Sequence, residues 1–359
     1  MKGFGSDNHA GVLPEALAAI AAANDGHAPS YGHDPITERA QARFRALLGD
    51  DARAFFVFNG SGANVLSLRA VLRPWEGVIV AETAHLNTDE GGAPEAIAGV
   101  KLLPVATPDG KLTPELVRTR LVRVGDEHAV QPRVVSITQA TELGTVYAPE
   151  EMRALADLAH AEGLLLHVDG ARIANAAASL GTSLRAVTTD AGADVVSFGG
   201  TKAGLLLGEA VVLLGDAGGA AATAMPHLRK QTLQLASKMR FVAAQFEALL
   251  SEDELWRRAT GHANAMAARL AAAVADVPGV EITQVVQANA VFAILPEGVA
   301  EALRAEWAFY DWDERRREVR WMCSWDTTPD EVDAFAAAVA EACSGAAAGA
   351  SRRRTGGGG

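Results

Sequence analysis

This chain has few cysteines, no excess of positive charge and no long apolar run, and each absence excludes a class of protein. Its 359 residues include only two cysteines, Cys323 and Cys343, which excludes a disulfide framework and is typical of a reducing cytoplasm. The formal net charge of −12 argues against a surface for nucleic acid or anionic membranes. No run reaches the roughly 20 apolar residues of a membrane span, and residues 1–8 lack the apolar core of a secretory signal. We therefore predict a soluble cytoplasmic protein without nucleic-acid or membrane partners.

The composition that is present predicts two globular domains. Apolar residues make up 49% of the chain and charged residues 21%, which is ordinary for a globular protein. The length allows one large domain and a smaller one, each with its own core. We predict an N-terminal segment at 1–14, a large domain at 15–245, a small domain at 246–344 and a tail at 345–359. The tail consists mainly of small residues and arginines, and it is expected to be disordered.

Apolar strands alternate with helices from about residue 53 onward. The strands are apolar throughout, which is typical of a parallel sheet covered on both faces. The predicted strands are Ala54–Phe58, Gly77–Val80, Val100–Val105, Val134–Ile137, Leu164–Val168 and Val195–Phe198. The predicted helices are Ala63–Leu72, Pro114–Val124, Pro149–Glu162 and a long one over Arg229–Leu250.

Beyond Glu252 the pattern changes to helix, strand, strand, helix, strand and helix. This order favours a small α+β domain. Its predicted elements are a helix to Ala275, strands near Val280–Thr283, Ala290–Leu295 and Val319–Met322, and helices over Gly298–Phe309 and Pro329–Ala342.

Two residues with chemical potential come shortly after two of the predicted strands. Asp169 follows Leu164–Val168 directly, and Lys202 lies just beyond Val195–Phe198. Such a lysine can carry pyridoxal phosphate (PLP) as a Schiff base, and such an aspartate can keep the PLP ring nitrogen protonated so that the ring accepts electrons. The same positions also suit a surface lysine and a helix-capping aspartate, so the pair alone leaves both interpretations open.

A turn of small residues, Asn59–Asn64, joins a predicted strand to a predicted helix. Small residues let the backbone approach an anion, and a helix N-terminus offers free N–H groups, so the turn suits a phosphate monoester. It has neither the Gly-Lys-Ser/Thr of a Walker loop nor the spacing of a dinucleotide-binding loop. Many strand-to-helix turns use glycine and serine structurally, and only its place before Asp169 and Lys202 favours a phosphate site.

Three further side chains are candidates for the same site. His85 follows the strand Gly77–Val80 by a short loop, where it is suited to stack on a flat ring, to carry a proton or simply to bond within the loop. Arg172 comes three residues after Asp169 and suits a substrate carboxylate as well as a surface ion pair. Arg320 stands between two apolar residues, unlike the three arginines that precede it at 315–317.

Five motifs in order along the chain resemble those of the L-threonine aldolases. These are PLP enzymes of the aspartate-aminotransferase fold, fold type I, in the β-eliminating lyase superfamily. The motifs are Tyr31–Pro35, Asn59–Asn64, Ala84–His85, His167–Arg172 and Gly199–Lys202. Further stretches at 139–147, 235–240 and 322–326 resemble the low-specificity bacterial branch, and the resemblance extends from about Ser6 to Ser344.

The resemblance implies a role for each matched residue. It makes Lys202 the residue that carries PLP, Asp169 the partner of the ring nitrogen and His85 the residue stacked on the ring. For the rest of the cofactor it implies Gly60, Ser61, Arg172, Arg240 and, from another subunit, Lys230. For the substrate carboxylate it implies Ser6, Arg172 and Arg320, and it places Tyr31 at a subunit interface, where it reaches a neighbour's site.

The resemblance also implies the fold and the reaction. The expected fold is α/β, with a mostly parallel seven-stranded sheet, a small C-terminal α+β domain and an N-terminal segment that contributes to the active site. The expected reaction is retro-aldol cleavage of L-threonine, L-allo-threonine and related β-hydroxy-α-amino acids to glycine and an aldehyde. It implies a homotetramer, built as a pair of dimers with shared active sites, and no metal ion.

Three positions depart from the family pattern and leave parts of this interpretation open. Glu142 stands where many relatives carry a histidine near the substrate β-hydroxyl, so His85, Glu142 and an ordered water are all candidates for the base. Leu233 replaces an expected glycine, and Asn8–His9 replaces a threonine-rich start. The alternatives are an aldolase for phenylserine-like substrates, a β-eliminating PLP lyase and, more remotely, a PLP-binding protein without turnover.

Overall fold

The computed structural model describes residues 3–355 and divides them into two compact units. The larger unit comprises Gly11–Glu142 and Val146–Ala259. The smaller unit comprises the described residues of Met1–Ala10, Leu143–Thr145 and Thr260–Gly359. The boundary therefore lies at Thr260, inside one continuous helix, whereas the sequence predicted it at residue 246. Because a helix crosses this boundary, no linker composition marks it in the sequence.

The larger unit is built on a seven-stranded sheet in the order β1-β7-β6-β5-β4-β2-β3. Its strands are β1 (Arg53–Val57), β2 (Glu76–Ala81), β3 (Lys101–Val105), β4 (Gln131–Thr138), β5 (Leu165–Gly170), β6 (Val195–Gly199) and β7 (Glu209–Leu213). β7 is antiparallel to both of its neighbours, and all other pairs are parallel. This confirms the predicted mostly parallel sheet, but β7 itself was not predicted. It follows β6 through residues 200–208, which contain a short 3₁₀ turn but no α-helix, so the alternation of strands and helices does not indicate it.

Helices cover this sheet and connect most of its strands. They are α1 (Pro14–Ala22), α2 (Pro35–Leu48), α3 (Gly60–Val71), α4 (His85–Thr88), α5 (Pro114–Arg118), α6 (Pro149–Ala161), α7 (Ile173–Ser179), α8 (Gly215–Ala222), α9 (Met225–Gln231) and α10 (Arg240–Leu249). The sequence predicted one long helix over Arg229–Leu250, and the structure shows α9 and α10 instead. Leu233 lies between them with φ of 64°, a left-handed conformation that a right-handed helix cannot contain. The same φ explains why glycine was the expected residue there.

Four phenylalanines form an aromatic core beneath the carboxyl end of β6. The Phe44 ring lies edge-on to Phe198 of β6 with 5.2 Å between ring centroids. Phe56 and Phe246 lie 5.1 Å apart, and all four side chains are fully buried. Burial of each such ring stabilises the fold by about 2–3 kcal/mol, so the strand that precedes Lys202 is firmly anchored.

The smaller unit contains a four-stranded antiparallel sheet in the order β10-β11-β9-β8. Its elements are α11 (Leu255–Val274, from Thr260 onward), β8 (Glu281–Ile282), β9 (Ala290–Ile294), α12 (Val299–Leu303), β10 (Tyr310–Asp313), β11 (Glu318–Met322) and α13 (Pro329–Thr355). A core of Phe4, Trp321 and Phe335 holds α13 and the N-terminal residues on this sheet. The predicted α+β organisation is thus present, although the predicted helix Gly298–Phe309 is shorter and β10 follows it.

The C-terminal tail differs from its prediction. Residues 345–359 were expected to be disordered, but α13 continues to Thr355, and residues 356–359 lie outside the described part. The tail is rich in alanine, which has the highest helix propensity of all residues, and arginine is close behind it. Between residues 3 and 355, no helix has both the length and the apolar character that crossing a membrane requires.

Candidate active site

The carboxyl ends of β5 and β6 bring Asp169 and Lys202 to the same edge of the sheet. β5 and β6 are parallel neighbours, with Asp169 paired to Ser197, and Lys202 lies in a short 3₁₀ turn, Thr201–Ala203, just beyond β6. The buried Asp169 carboxylate accepts hydrogen bonds from the Ala171 N–H at 3.0 Å and from Asn64 Nδ2 at 2.7 Å. These two donors fix the carboxylate within the cavity.

A buried histidine supports the strands beneath Asp169. The ring of His167 in β5 bonds Ser136 of β4 through Nδ1 at 2.8 Å and Ser197 of β6 through Nε2 at 3.0 Å. Burial lowers the pKa of His167 to about 4, so the ring is neutral at physiological pH. It thereby links three adjacent strands through uncharged hydrogen bonds.

The turn that carries Lys202 is tightly packed against its surroundings. A Cβ on Gly199 would collide with the carbonyl oxygen of Ala171, and a Cβ on Gly200 would lie 2.5 Å from that of Gly208. Only glycine therefore allows this approach at both positions. The Gly200 N–H donates to Oε2 of Glu209 at 2.7 Å, so a carboxylate from β7 holds the turn from below. No pattern in the sequence indicates a role for Glu209, because that role depends on the unpredicted strand β7.

Glu209 is expected to make the stability of the protein depend on pH. Burial raises the pKa of its carboxyl from 4.5 to about 7. Because the pKa of Glu209 is higher in the folded than in the unfolded chain, its protonated carboxyl contributes to the free energy of unfolding. This contribution is complete below a pH of about 4.5 and is lost as the pH rises through about 7, which lowers the free energy of unfolding by about 3 kcal/mol. Glu209→Gln removes this ionisation. As the pH is raised from 5 to 8, the thermal unfolding midpoint of the PLP-free parent should therefore fall relative to that of the PLP-free variant. Equal pH dependence in both proteins would contradict this, and Glu82→Gln is the control at an exposed carboxyl.

One cavity of the larger unit brings together half of the residues predicted from the sequence. Its lining includes Gly60, His85, Glu142, Asp169, Arg172 and Lys202. Asn64 and Glu90 also line it, and neither had been singled out as a site residue. Asn64 belongs to the predicted phosphate turn, so the sequence pattern already included it. No sequence pattern pointed to Glu90.

The two added residues connect His85 to Asp169. Glu90 Oε1 lies 2.8 Å from Nδ1 of His85 and accepts a bond from Asn64 Nδ2 at 3.1 Å. The same Asn64 amide donates to Asp169. The hydrogen bond with Glu90 raises the pKa of His85, although partial burial of the ring opposes this. His85 is therefore held in the cavity by a buried carboxylate.

Glu142 faces the same cavity from the loop after β4. Its Oε1 accepts the backbone N–H of His85 at 2.7 Å and the Thr138 hydroxyl at 2.9 Å. Its Oε2 is buried and has no partner among the described residues. Burial, and next the charge of Asp169, raise the pKa of Glu142 above its usual value. A carboxylate oxygen that is raised in basicity and unpartnered is suited to take a proton from a bound molecule.

The N-terminus of α3 fits a phosphate group. Asn59 caps the helix by accepting the Gly62 N–H at 2.8 Å, which leaves the preceding amides of the first turn without helical acceptors. A Cβ on Gly60 would meet no atom within 4 Å, so the space above this amide is open. Gly60 lines the cavity with Lys202, whereas Ser61 lines a neighbouring one with Gln234.

The other predicted residues lie elsewhere. Tyr31, Lys230 and Arg240 belong to the larger unit but not to this cavity: Lys230 Nζ lies 5.1 Å from the Tyr31 ring centroid, and Arg240 donates to the Gly26 carbonyl at 3.3 Å. In the smaller unit, the Ser6 hydroxyl accepts the Asn8 N–H at 3.1 Å.

Arg320 also belongs to the smaller unit, in β11. Its guanidinium carbon lies 5.5 Å from the Trp312 ring centroid, which fits the view that it differs from the solvated arginines before it. The contacts predicted for these five residues with cofactor, substrate or neighbouring subunit stay predictions.

The donor set of the cavity fits PLP. It holds a primary amine in Lys202, a buried carboxylate in Asp169 for a protonated ring nitrogen, and the open helix N-terminus at Gly60 for a phosphate. Glu90 and Glu142 each have one buried oxygen without a hydrogen-bond partner in the described part of the chain, and these oxygens add acceptors for a polar ligand.

Comparison with known proteins agrees with this arrangement. The sequence model of the Beta-eliminating lyase family matches residues 3–297. The low specificity L-threonine aldolase of Pseudomonas aeruginosa is 47% identical over 331 residues, which are 92% of this chain and 94% of that protein. The protein of the same name from a Pseudomonas species is 46% identical over 338 residues, 94% of this chain and 96% of the relative.

A solved structure confirms the fold. The threonine aldolase of Leishmania major has a TM-score of 0.89 and 30% sequence identity, covering 95% of this chain and 99% of that chain. Enzymes of this kind depend on PLP, which confirms the predicted cofactor and the predicted class of lyase. The chain belongs to the β-eliminating lyase family, in its low-specificity L-threonine aldolase branch.

Proposed function

We propose that this chain is a PLP-dependent aldolase that cleaves L-threonine, L-allo-threonine and related β-hydroxy-α-amino acids to glycine and an aldehyde, which is acetaldehyde in the case of threonine. The observation that carries the proposal is the cavity in which Lys202 and Asp169 lie with His85 and Glu142. The names of the two Pseudomonas relatives support the choice of substrate.

Lys202 and Asp169 are proposed to hold the reactive part of the cofactor. When bound, PLP supplies an electron-accepting ring that takes up the negative charge left at the substrate Cα as the Cα–Cβ bond breaks. Lys202 would hold the cofactor covalently through its amine. Asp169 keeps negative charge beside the ring nitrogen, and its two fixed donors prevent it from turning away. Gly60 and Ser61, with Arg240 and Lys230, are proposed to bind the phosphate.

Arginines are proposed to orient the substrate. Arg172 lines the cavity at the start of α7, and its planar guanidinium is suited to bind a carboxylate through two parallel hydrogen bonds. Arg320 and Ser6 are proposed to share that carboxylate. Holding it at fixed points limits the rotation of the substrate, which lowers the entropic part of the barrier.

Glu142 is proposed to take the proton from the β-hydroxyl group. Its Oε2 has no described partner, while its Oε1 is already occupied by two donors. The raised pKa brings its basicity closer to neutral pH, where proton transfer is most effective. His85 contributes the backbone N–H that fixes this carboxylate.

A homotetramer in the cytoplasm, built as a pair of dimers, is the proposed assembly. Tyr31 is 43% exposed and Leu233 is 84% exposed, which supports covering of this part of the surface by another subunit. Both cysteines are free and buried, which supports a reducing compartment. The molar mass from light scattering tests the assembly, and a monomer would exclude shared active sites.

The proposed function predicts acetaldehyde release from L-threonine by the purified chain with added PLP. L-allo-threonine and phenylserine are measured beside it, and Glu142→Gln is expected to lower kcat by about 10²-fold while the visible absorption of bound PLP is retained. Activity within threefold of the parent would exclude Glu142 as the base.

Other products would support other members of the same fold. Release of aldehyde from phenylserine alone indicates the phenylserine-type enzyme, and release of pyruvate and ammonia from serine indicates β-elimination. PLP absorption without turnover of any of these compounds would leave only a PLP-binding role.

A further inference from the structure

Glu90 is a fully buried carboxylate next to an exposed one. It follows α4 directly after Asp89, and its side chain has 0% exposure while that of Asp89 has 83%. A carboxylate buried to this degree requires hydrogen-bond partners to offset its lost hydration. Those partners are His85 at 2.8 Å and Asn64 at 3.1 Å, both on the same oxygen of Glu90.

The bonds of Glu90 tie the His85 ring to the part of the cavity around Asp169. Asn64 Nδ2 lies within hydrogen-bond distance of both Glu90 and Asp169, at 3.1 and 2.7 Å. The His85 ring is anchored through Nδ1, and its backbone N–H is bonded to Glu142. Rotation of the imidazole would therefore break its bond to a carboxylate whose side chain is 0% exposed to solvent.

Several charged side chains surround His85, and most of them are acidic. The acidic ones are Asp89 and Glu90 after α4, Glu142 in the loop after β4 and Asp169 in β5. The basic ones are Arg172 after β5 and Lys202 after β6. Glu90 is the one in direct contact with a ring nitrogen within 3 Å, whereas Asp89 Oδ2 lies 3.5 Å from Nε2 in solvent.

We propose that Glu90 is a positioning residue for His85, which fixes the imidazole at the cavity through its contact with Nδ1. The effect of Glu90 on turnover rests on the proposed aldolase function. The effect of Glu90 on the position and the pKa of His85 does not depend on that function. The proposal separates the roles of the two candidates for the base: Glu142 accepts the substrate proton, and His85 is the group that Glu90 holds in place.

The direction of the His85 pKa supports the geometry. The hydrogen bond to Glu90 is the largest influence that raises it, and the charges of Glu90 and Asp169 act in the same sense, while burial and Lys202 act against them. With a raised pKa, the protonated form persists to higher pH and is lost as the pH rises through that pKa. Activity that needs this form should therefore decline on the alkaline side.

The test measures the protonation of His85 directly, without catalysis. Diethylpyrocarbonate modifies neutral imidazole, so the pH midpoint of modification, read by peptide mass spectrometry on the full chain without PLP, reports the pKa. In the parent, the His85 midpoint should lie above about 6.5, the usual pKa of an imidazole. Glu90→Gln should lower the His85 midpoint by about 1 unit or more, and the matched Asp89→Asn by less than about 0.3 unit.

Each outcome decides the proposal. A His85 midpoint in the parent at or below the usual imidazole value of about 6.5 overturns the proposal without any variant. An equal shift of the midpoint in the two variants overturns it as well. Glu90→Asp keeps the charge and should retain most of the raised midpoint while lowering kcat, which a purely structural glutamate would not do. In the PLP-loaded enzyme, Glu90→Gln should move the alkaline decline of kcat/KM to lower pH by the same amount. If the chain releases no aldehyde but the modification midpoints behave as stated, the proposed function fails and the inference about Glu90 stands.

Discussion

Lys202→Ala is expected to abolish the visible absorption of covalently bound PLP and to lower aldehyde release from L-threonine by at least about 10³-fold. Lys202 is the primary amine that lines the cavity with Asp169, and alanine leaves the tight turn around it unchanged. The glycines and Glu209 that shape this turn make their contacts through backbone atoms of neighbouring residues. The effect should therefore be chemical, with little change in unfolding temperature.

Borohydride reduction followed by peptide mass spectrometry measures the attachment directly. PLP should be found on the peptide that contains Lys202, and in the variant no lysine should carry it at comparable yield. Lys101→Ala is the matched control, because this lysine is exposed at the start of the edge strand β3 and should leave both readouts unchanged. Full activity of the Lys202 variant would remove the basis of the proposed function.

Asp169→Asn is expected to lower kcat by about 10²- to 10³-fold while the protein still binds PLP. Asparagine has nearly the same shape, but it lacks the negative charge that stabilises a protonated ring nitrogen. The two donors that now bond the carboxylate, from Ala171 and Asn64, would meet an amide in its place. Steady-state kinetics and the absorption spectrum of the loaded enzyme measure the two effects separately.

The matched control for Asp169 lies at the opposite end of the same pair of strands. Asp194 precedes β6, and its Oδ2 accepts the Leu166 N–H at 2.8 Å and bonds His160 Nε2 at 2.9 Å. Asp194→Asn should lower the unfolding temperature and leave the PLP spectrum and kcat close to those of the parent. Equal losses of kcat in both variants would indicate that Asp169 acts through stability alone.

Much of the site could be predicted from the chain because its residues follow strands. Long apolar runs predict parallel strands, and the carboxyl ends of parallel neighbours meet at one edge of a sheet. Asp169 and Lys202 each come just after such a run, and Asn59 precedes a helix as a good N-cap residue. The convergence of Asp169 and Lys202 in one cavity, beside the helix start at Gly60, was therefore accessible to sequence reasoning.

Other features depend on contacts between distant parts of the chain. The bond from Asn64 to Asp169 joins residues 105 positions apart, and nothing in the local pattern around either residue specifies it. Glu90 and Asp89 are adjacent acidic residues, and only the fold decides that one is buried beside His85 and the other exposed. The antiparallel strand β7 likewise has a short apolar pattern that leaves its direction and its place between β1 and β6 open.

The sequence by itself determined the class of fold and, through the family resemblance, the cofactor, because strand patterns and short motifs are local properties of the chain. The roles of Asp169 and Lys202 in holding that cofactor stay predictions. Only the tertiary structure decided which carboxylates are buried, which of them contact His85 and the lysine turn, and that the smaller unit begins inside α11. Burial and hydrogen-bond partners arise from packing between elements far apart in sequence, and they set the pKa of each group. The directions in which the pKa values of His85, Glu142 and Glu209 are shifted could therefore not be predicted before the fold was known.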